Sequence, residues 1–113
     1  MREAVIVSAA RTPIGKAYRG AFNNLESPSM ASVAVKAAVE RSGIDPKEVD
    51  DCIMGAALQQ GTQGFNLGRQ VAMASGLPVS VAGMTIDRQC SSGLMTIATG
   101  AKHIINDNAP ITI

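Results

Sequence analysis

Four short apolar runs, separated by segments with helical spacing, constrain the fold of this chain more than any other feature of its sequence. The runs fall at residues 4–8, 51–56, 81–87 and 109–113. They are largely continuous rather than alternating, which is typical of strands that are covered on both faces. Strands that alternate with helices favour a mostly parallel sheet, because parallel neighbours need a long crossover connection. The sequence therefore predicts an α/β fold with helices on the faces of the sheet.

Three helical segments are expected between these runs, and their ends carry recognisable signals. Ser27 and Pro28 predict the start of the first helix, as an N-cap followed by proline at the first helical position, and Gly43 ends it. Asn66 is the predicted cap of the second helix. The third helix is expected over residues 91–105, where apolar side chains recur at helical spacing.

Composition excludes several classes of function. The chain has 113 residues, a net charge of +1 and 46% hydrophobic residues, so it has room for one ordinary core and gives no electrostatic case for binding nucleic acid or a membrane surface. Two cysteines without a Cys/His cluster predict neither a disulfide framework nor a metal site. We find no secretory signal and no apolar stretch of membrane-spanning length, so we expect a cytoplasmic protein without a membrane partner.

Cys90 lies where the third apolar run gives way to the third predicted helix. Ser91 or Ser92 can cap that helix, and Gly93 allows another group to approach closely. Backbone N–H groups at a helix N-terminus favour a thiolate and can bind an oxyanion. Position alone leaves two interpretations open, a nucleophile on a strand-to-helix turn and a buried cysteine at an ordinary turn.

The other candidate side chains are interpreted as structural. Cys52, in the middle of the second run, is predicted to be a small buried side chain rather than a reactive thiol. His103 lies 13 residues beyond Cys90, which is about 20 Å along a helix and far outside hydrogen-bonding reach. It therefore cannot be the base, and we expect it to act as a favourable charge near the helix C-terminus. Arg69 is expected to be solvated.

Three segments of the chain resemble the thiolases, the family of acetyl-CoA acyltransferases and acetyltransferases. Residues 2–15, REAVIVSAARTPIG, resemble the opening of these enzymes, and residues 66–70, NLGRQ, resemble their Asn-x-x-Arg-Gln segment. The most specific segment is 87–94, DRQCSSGL, which is similar to the thiolase nucleophile signature and closest to the acyltransferase branch. The resemblance covers all 113 residues.

The resemblance implies the N-terminal half of a thiolase-like fold, so that residues 1–113 would be an incomplete thiolase N-terminal domain. In the family, the cysteine that matches Cys90 attacks the keto carbon of a 3-ketoacyl-CoA, acetyl-CoA leaves, and coenzyme A thiolyses the acyl-cysteine. Short-chain members also run the reverse condensation. The backbone N–H at the Cys90 position contributes to an oxyanion hole. Acyl-CoA and coenzyme A are then substrates, no tightly bound cofactor is expected, and the cofactor-binding residues of this chain are unknown.

The resemblance also implies partners and missing parts. Family members form homodimers or homotetramers, and the loop that matches Gln63–Arg69 would lie at the dimer contact, although Phe65 stands where some members have glutamine. The family's base histidine, its Asn/His oxyanion site and its second catalytic cysteine lie beyond position 113, so we expect the 113-residue chain to be inactive alone. Two alternatives stay open: a non-catalytic fragment or assembly module, and a related decarboxylating condensing enzyme.

Overall fold

The computed structural model describes residues 2–113, and it contains a three-stranded parallel sheet with helices on its faces. The helices are α1 (Ser27–Ser42), α2 (Leu67–Ala74) and α3 (Ser92–Asn106), and the strands are β1 (Val49–Gly55), β2 (Ala82–Ile86) and β3 (Ile111–Thr112). Short 3-10 turns at Pro46–Glu48 and Gly61–Gln63 precede β1 and α2. The strand order is β2-β1-β3, and both pairs are parallel. The predicted α/β class is confirmed.

The helix ends follow the capping signals in the sequence closely. Helix α1 begins one residue earlier than predicted, with Glu26 at the N-cap position and a proline in its first turn. Gly43 ends it in the left-handed conformation, with φ 70°, where glycine avoids the steric penalty of a Cβ atom. The Asn66 side chain caps α2 by accepting the N–H of Arg69. No helix within residues 2–113 is both long and apolar enough to cross a membrane.

The buried core lies between α2 and one face of the sheet. Its members come from β1, α2 and the segments around them: Val49, Cys52, Ala56, Leu67, Val71, Ala72, Leu77 and Val81. Two glycines bring the helix close to the sheet, since a Cβ atom on Gly83 would lie 2.5 Å from the Cα of Arg69, and one on Gly68 would collide with the carbonyl oxygen of Met84. Helix α3 covers the opposite face, where Gly100 lies against Thr112 of β3.

Residues 4–8 do not form the predicted first strand, and this prediction was wrong. Val5, Ile6 and Val7 are 69%, 77% and 67% exposed. A strand needs a neighbour that completes its ladder of backbone hydrogen bonds, and residues 4–8 make none with any other segment of residues 2–113. The run instead lines one wall of an open apolar depression of about 730 Å³, whose other walls are α1, α3 and β3.

Candidate functional site

Cys90 lies in the turn between β2 and α3, four residues after β2 ends. Its side chain is exposed, so the interpretation of a buried cysteine at this turn is wrong. Neither its thiol nor its backbone N–H makes a hydrogen bond with another residue of the described chain. The turn therefore presents a thiol and an adjacent N–H group, both unpaired within residues 2–113, at the N-terminal end of a helix.

The backbone immediately before the cysteine is held in an unusual conformation. Gln89 has φ 50°, in the left-handed region that residues other than glycine rarely adopt. Its N–H donates to Asp87 Oδ1 at 2.8 Å, and its carbonyl oxygen accepts the Ser92 hydroxyl at 2.7 Å. These two bonds hold a sharp change of direction, and the chain reaches Cys90 on the outer side of the turn.

The two serines after the cysteine have different environments. Ser91 occupies the N-cap position of α3 without a capping bond from its side chain, and its exposed hydroxyl donates to Arg88 O at 2.8 Å. Ser92 is only 4% exposed, and its hydroxyl accepts the Arg88 N–H at 2.9 Å while donating to Gln89 O. Neither hydroxyl therefore caps the N-terminus of α3. The predicted cap at Ser91 or Ser92 is absent from the structure.

Gly55 sets the position of the first turn of α3, and Gly93 leaves the outer side of that turn open. A Cβ atom on Gly55, the last residue of β1, would lie 2.7 Å from the carbonyl carbon of Ser92 and 2.8 Å from the nitrogen of Gly93. The absence of a side chain at Gly55 therefore lets the helix start rest directly on the end of the strand. A Cβ atom on Gly93 would meet nothing within 4 Å, so the outer side of this turn is open to an approaching group.

The prediction that Arg69 is solvated was wrong. Its guanidinium binds the segment of chain that leads into β2. It donates to the carbonyl oxygen of Val79 at 3.1 Å and also to that of Val81. Two backbone acceptors suit the fixed fork of a guanidinium, but sequence alone gives no sign of which carbonyls lie within its reach. The arginine therefore fixes the entry of β2, the strand that leads to Cys90.

The start of α2 is also tied to β2. Asn66 Nδ2 donates to Gly83 O at 2.8 Å, and Gly68 N–H donates to Thr85 Oγ1 at 3.0 Å. Thr85 Oγ1 in turn donates to Asn66 Oδ1 at 3.2 Å. The loop before the helix is held by Gln70, whose Nε2 donates to the two backbone carbonyls of residues 64 and 65 at 2.6 and 2.8 Å. The polar side chains of the NLGRQ segment thus bind neighbouring backbone groups, and Asn66 also binds the Thr85 hydroxyl.

His103 lies at the opposite end of α3 from Cys90, and the unbroken helix keeps the two apart. Its Nδ1 is 3.8 Å from Oδ2 of Asp51, a β1 residue that is only 7% exposed. The other carboxylate oxygen, Oδ1, is buried without a hydrogen-bond partner in the described chain. Burial raises the pKa of Asp51, and the attraction of His103 opposes that rise only in part. Sequence analysis missed this pair, because the 3.8 Å separation depends on the packing of α3 on the sheet.

Cys52 is buried as predicted, with 2% exposure. Burial, with a smaller contribution from the neighbouring Asp51, raises the pKa of its thiol to about 11. A thiol in this environment is neither a nucleophile nor a metal ligand at neutral pH. Within residues 2–113 no group of three or more His, Cys, Asp or Glu side chains could hold a metal ion.

Comparison with known proteins assigns the family. The family described as "Thiolase, N-terminal domain" matches residues 4–113. The chain belongs to the thiolase family. A 3-ketoacyl-CoA thiolase of Bacillus subtilis (strain 168) is 41% identical over 105 residues, which are 93% of this chain and 27% of the relative. Acetyl-CoA acetyltransferases of Paracoccus denitrificans and Cupriavidus necator are 43% and 42% identical over the whole chain and 28% of their own length.

This thiolase chain thus spans just over a quarter of the length of the relatives it matches. Its α/β architecture is that of a thiolase N-terminal domain, and the DRQCSSGL segment forms the turn from β2 into α3. An exposed thiol beside a free N–H can attack a carbonyl carbon while the N–H binds the developing oxyanion. The only histidine of the sequence is distant from this turn, so residues 1–113 place no imidazole base beside the thiol.

Proposed function

We propose that this chain is the nucleophile-bearing part of a thiolase that cleaves 3-ketoacyl-CoA with coenzyme A, or runs the reverse condensation. The observation that carries the proposal is the exposed Cys90 thiol, with its unpaired N–H, at the start of α3. The relatives, named 3-ketoacyl-CoA thiolase and acetyl-CoA acetyltransferase, support the same reaction class. In this scheme acyl-CoA and coenzyme A are substrates, and no tightly bound cofactor is required.

The proposed reaction uses Cys90 twice. Its thiolate first attacks the keto carbon of the substrate, and the N–H of the same residue binds the oxygen on which negative charge develops. The bond between the keto carbon and its neighbour then breaks, and acetyl-CoA leaves as its carbanion takes up a proton. Coenzyme A thiolate next attacks the acyl-cysteine, which releases a shortened acyl-CoA and restores the Cys90 thiolate.

The base that deprotonates Cys90 and the acid that protonates the leaving carbanion are proposed to come from outside residues 1–113. His103, the only imidazole, is engaged with Asp51 at the far end of α3. Loss of a general base typically costs 10²–10⁴-fold in rate, and loss of an oxyanion donor costs roughly 10²–10³-fold. We therefore propose that the 113-residue chain alone has no thiolase turnover, and that the active species is a cytoplasmic homo-oligomer of a longer chain.

The proposal is tested by acyl-enzyme formation and by turnover. In the full-length gene product, incubation with acetyl-CoA should add one acetyl group, which peptide mass spectrometry should locate on Cys90. Consumption of acetoacetyl-CoA with coenzyme A should be seen for that product and not for the 113-residue chain. Acetylation elsewhere would contradict the role of Cys90. Turnover by the short chain within tenfold of the full product would show that the base lies inside these residues.

A further inference from the structure

We propose that Ser92 is a positioning residue for Cys90, because its buried hydroxyl holds the strained Gln89 backbone that directs the thiol and N–H of Cys90 outward. This inference rests on the proposed function of Cys90 as the nucleophile. It assigns to Ser92 no contact with substrate. Its effect on the reaction is transmitted through the two backbone groups that it binds.

The hydroxyl of Ser92 uses both of its hydrogen-bonding capacities on the turn. It accepts the N–H of Arg88 at 2.9 Å and donates to the carbonyl oxygen of Gln89 at 2.7 Å. These two groups belong to consecutive residues immediately before Cys90. A hydroxyl can donate and accept at once, so no apolar side chain of similar size could replace both bonds. Because Ser92 is 4% exposed, water cannot readily take its place.

The conformation that these bonds hold is one that Gln89 would otherwise avoid. A residue other than glycine persists in the left-handed region only when its surroundings over-determine it. The constraints here are Asp87, whose carboxylate accepts the N–H and the side-chain amide of Gln89, and Ser92, whose hydroxyl and backbone N–H both donate to the Gln89 carbonyl. Asp87 is exposed, so water competes for its bond, whereas the bond to Ser92 is shielded. Ser92 is thus the stronger of the two constraints.

The position of Ser92 is itself fixed by the sheet. Its backbone rests on Gly55, where a Cβ atom would approach to 2.7 Å. A continuous series of contacts therefore runs from the end of β1 through Ser92 and Gln89 to Cys90. Ser91 offers a matched comparison, because its hydroxyl also binds this turn but is exposed and reaches only the Arg88 carbonyl.

The test compares four variants of the full-length gene product: Ser92→Ala, Ser91→Ala, Gln89→Gly and the double variant Gln89→Gly/Ser92→Ala. For each, the rate of Cys90 acetylation by acetyl-CoA and the rate of Cys90 alkylation by iodoacetamide are measured between pH 6 and 9. We expect Ser92→Ala to slow acetylation roughly 10- to 100-fold, because a small misplacement of a reacting group costs about that much. Ser91→Ala should slow it less than about threefold.

Glycine at position 89 provides the decisive comparison, since it adopts φ 50° without steric penalty. If Ser92 acts by holding that conformation, the factor by which Ser92→Ala slows acetylation should be at least about fivefold smaller in the Gln89→Gly background than in the wild-type background. A purely structural serine would not show this non-additivity. An equal loss in both backgrounds, or wild-type acetylation by Ser92→Ala, would overturn the proposal. If Ser92→Ala does not fold, the double variant should still fold and acetylate Cys90 at a rate within about fivefold of that of Gln89→Gly. A double variant that does not fold, or that is slower than this, would also overturn the proposal.

The alkylation series separates this inference from the proposed function. If wild-type protein forms no acyl-enzyme, the proposed function fails, but the reactivity of Cys90 towards iodoacetamide still reports the geometry of the turn. In that series Ser92→Ala should slow alkylation several-fold at pH 7, because the turn no longer holds the thiol in its present position. Alkylation identical to wild type at every pH would overturn the positioning role.

Discussion

The two cysteines of the chain belong to neighbouring strands of one sheet, Cys52 within β1 and Cys90 just after β2, yet they differ in burial and in the groups around them. Cys52 is on the face of β1 that α2 covers, among the core residues, and it follows the carboxylate of Asp51 in the sequence. Cys90 has left the sheet, is exposed, and lies at the start of α3. Burial and a neighbouring negative charge oppose ionisation of the first thiol, whereas the second is exposed and its own backbone N–H is unpaired within residues 2–113.

The difference shows that a few residues of backbone geometry decide which cysteine can react. Position 52 has the regular geometry of a strand, which turns its side chain into the core. At position 90 the strand has ended, and the left-handed Gln89 redirects the chain before the helix begins.

Replacement of the two cysteines should separate their roles most strongly. In the full-length gene product, Cys90→Ala should lower turnover of acetoacetyl-CoA by at least about 10⁴-fold, because loss of a nucleophile removes the covalent route. Cys52→Ala should keep turnover within a few-fold of wild type and lower the free energy of unfolding by about 1 kcal/mol. Kinetic assays and urea titrations measure the two effects. A Cys90→Ala enzyme with substantial turnover would remove the basis of the proposed function.

Chemical labelling should discriminate between the same two thiols without any substrate. With a pKa of about 11, Cys52 is only about one part in a thousand thiolate at pH 8, and its burial restricts access further. Iodoacetamide should therefore modify Cys90 at least about 100-fold faster in folded protein, as measured by quantitative peptide mass spectrometry. Labelling in concentrated urea is the control, because unfolding should bring the two rates close together. Faster labelling of Cys52 in the folded protein would mean that the burial described here is wrong.

Glycine substitutions test the contact that fixes the start of α3. Gly55→Ala places a Cβ atom 2.7 Å from the Ser92 carbonyl carbon, so the helix must shift, and we expect a loss of about 1–3 kcal/mol in the free energy of unfolding. Gly93→Ala is the matched control, since its Cβ atom meets nothing within 4 Å, and it should be neutral or slightly stabilising. Urea titrations of both variants provide the comparison. Equal stability of the two would refute close contact between β1 and α3.

The smallest effect concerns the buried carboxylate beside Cys52. The folded-state pKa of Asp51 is raised above its ordinary value of 3.8, so the folded protein binds this proton more tightly than the unfolded chain does. The associated stability is present below pH 3.8 and is lost as pH rises through the folded-state pKa. Asp51→Asn should therefore become more stable relative to wild type as pH increases from about 3.5 to 7. In protein that keeps Asp51, His103→Ala should enlarge the loss of stability over this pH range, because the imidazole lowers the pKa of Asp51. A difference in the free energy of unfolding between Asp51→Asn and wild type that does not change with pH would contradict the raised pKa of Asp51.

Much of the fold could be predicted from the sequence because its signals are local. The glycine at 43 and the cap at Asn66 act within one helical turn, and the apolar runs of β1 and β2 form strands that pair with each other in the sheet. The run at residues 4–8 carries the same local signal but lacks a neighbour in this structure, so the prediction of a strand failed there. Strand formation depends on hydrogen bonds to another segment, which no local pattern can supply.

In the candidate site too, the features that depend on local sequence could be predicted and those that depend on contacts between distant segments could not. The sequence places Cys90 on the turn between a strand and a helix, but its position alone does not decide between a buried and an exposed thiol, and the structure shows that it is exposed. The contacts of Arg69 with two backbone carbonyls, and the approach of His103 to Asp51, join residues that are 10 to 52 positions apart. Such pairs depend on how closely α2 and α3 pack on the sheet. That packing is set by close approaches of the backbone at Gly68, Gly83 and Gly100, which no local pattern in the sequence specifies.

The hydrogen bonds between the start of α2 and β2 join a solvent-exposed loop to the strand that leads to Cys90. Phe65 is fully exposed at the tip of the loop, and the next residue, Asn66, binds Gly83 directly and contacts Thr85. β2 ends four residues before Cys90, so only this one strand separates the exposed loop from the Cys90 turn.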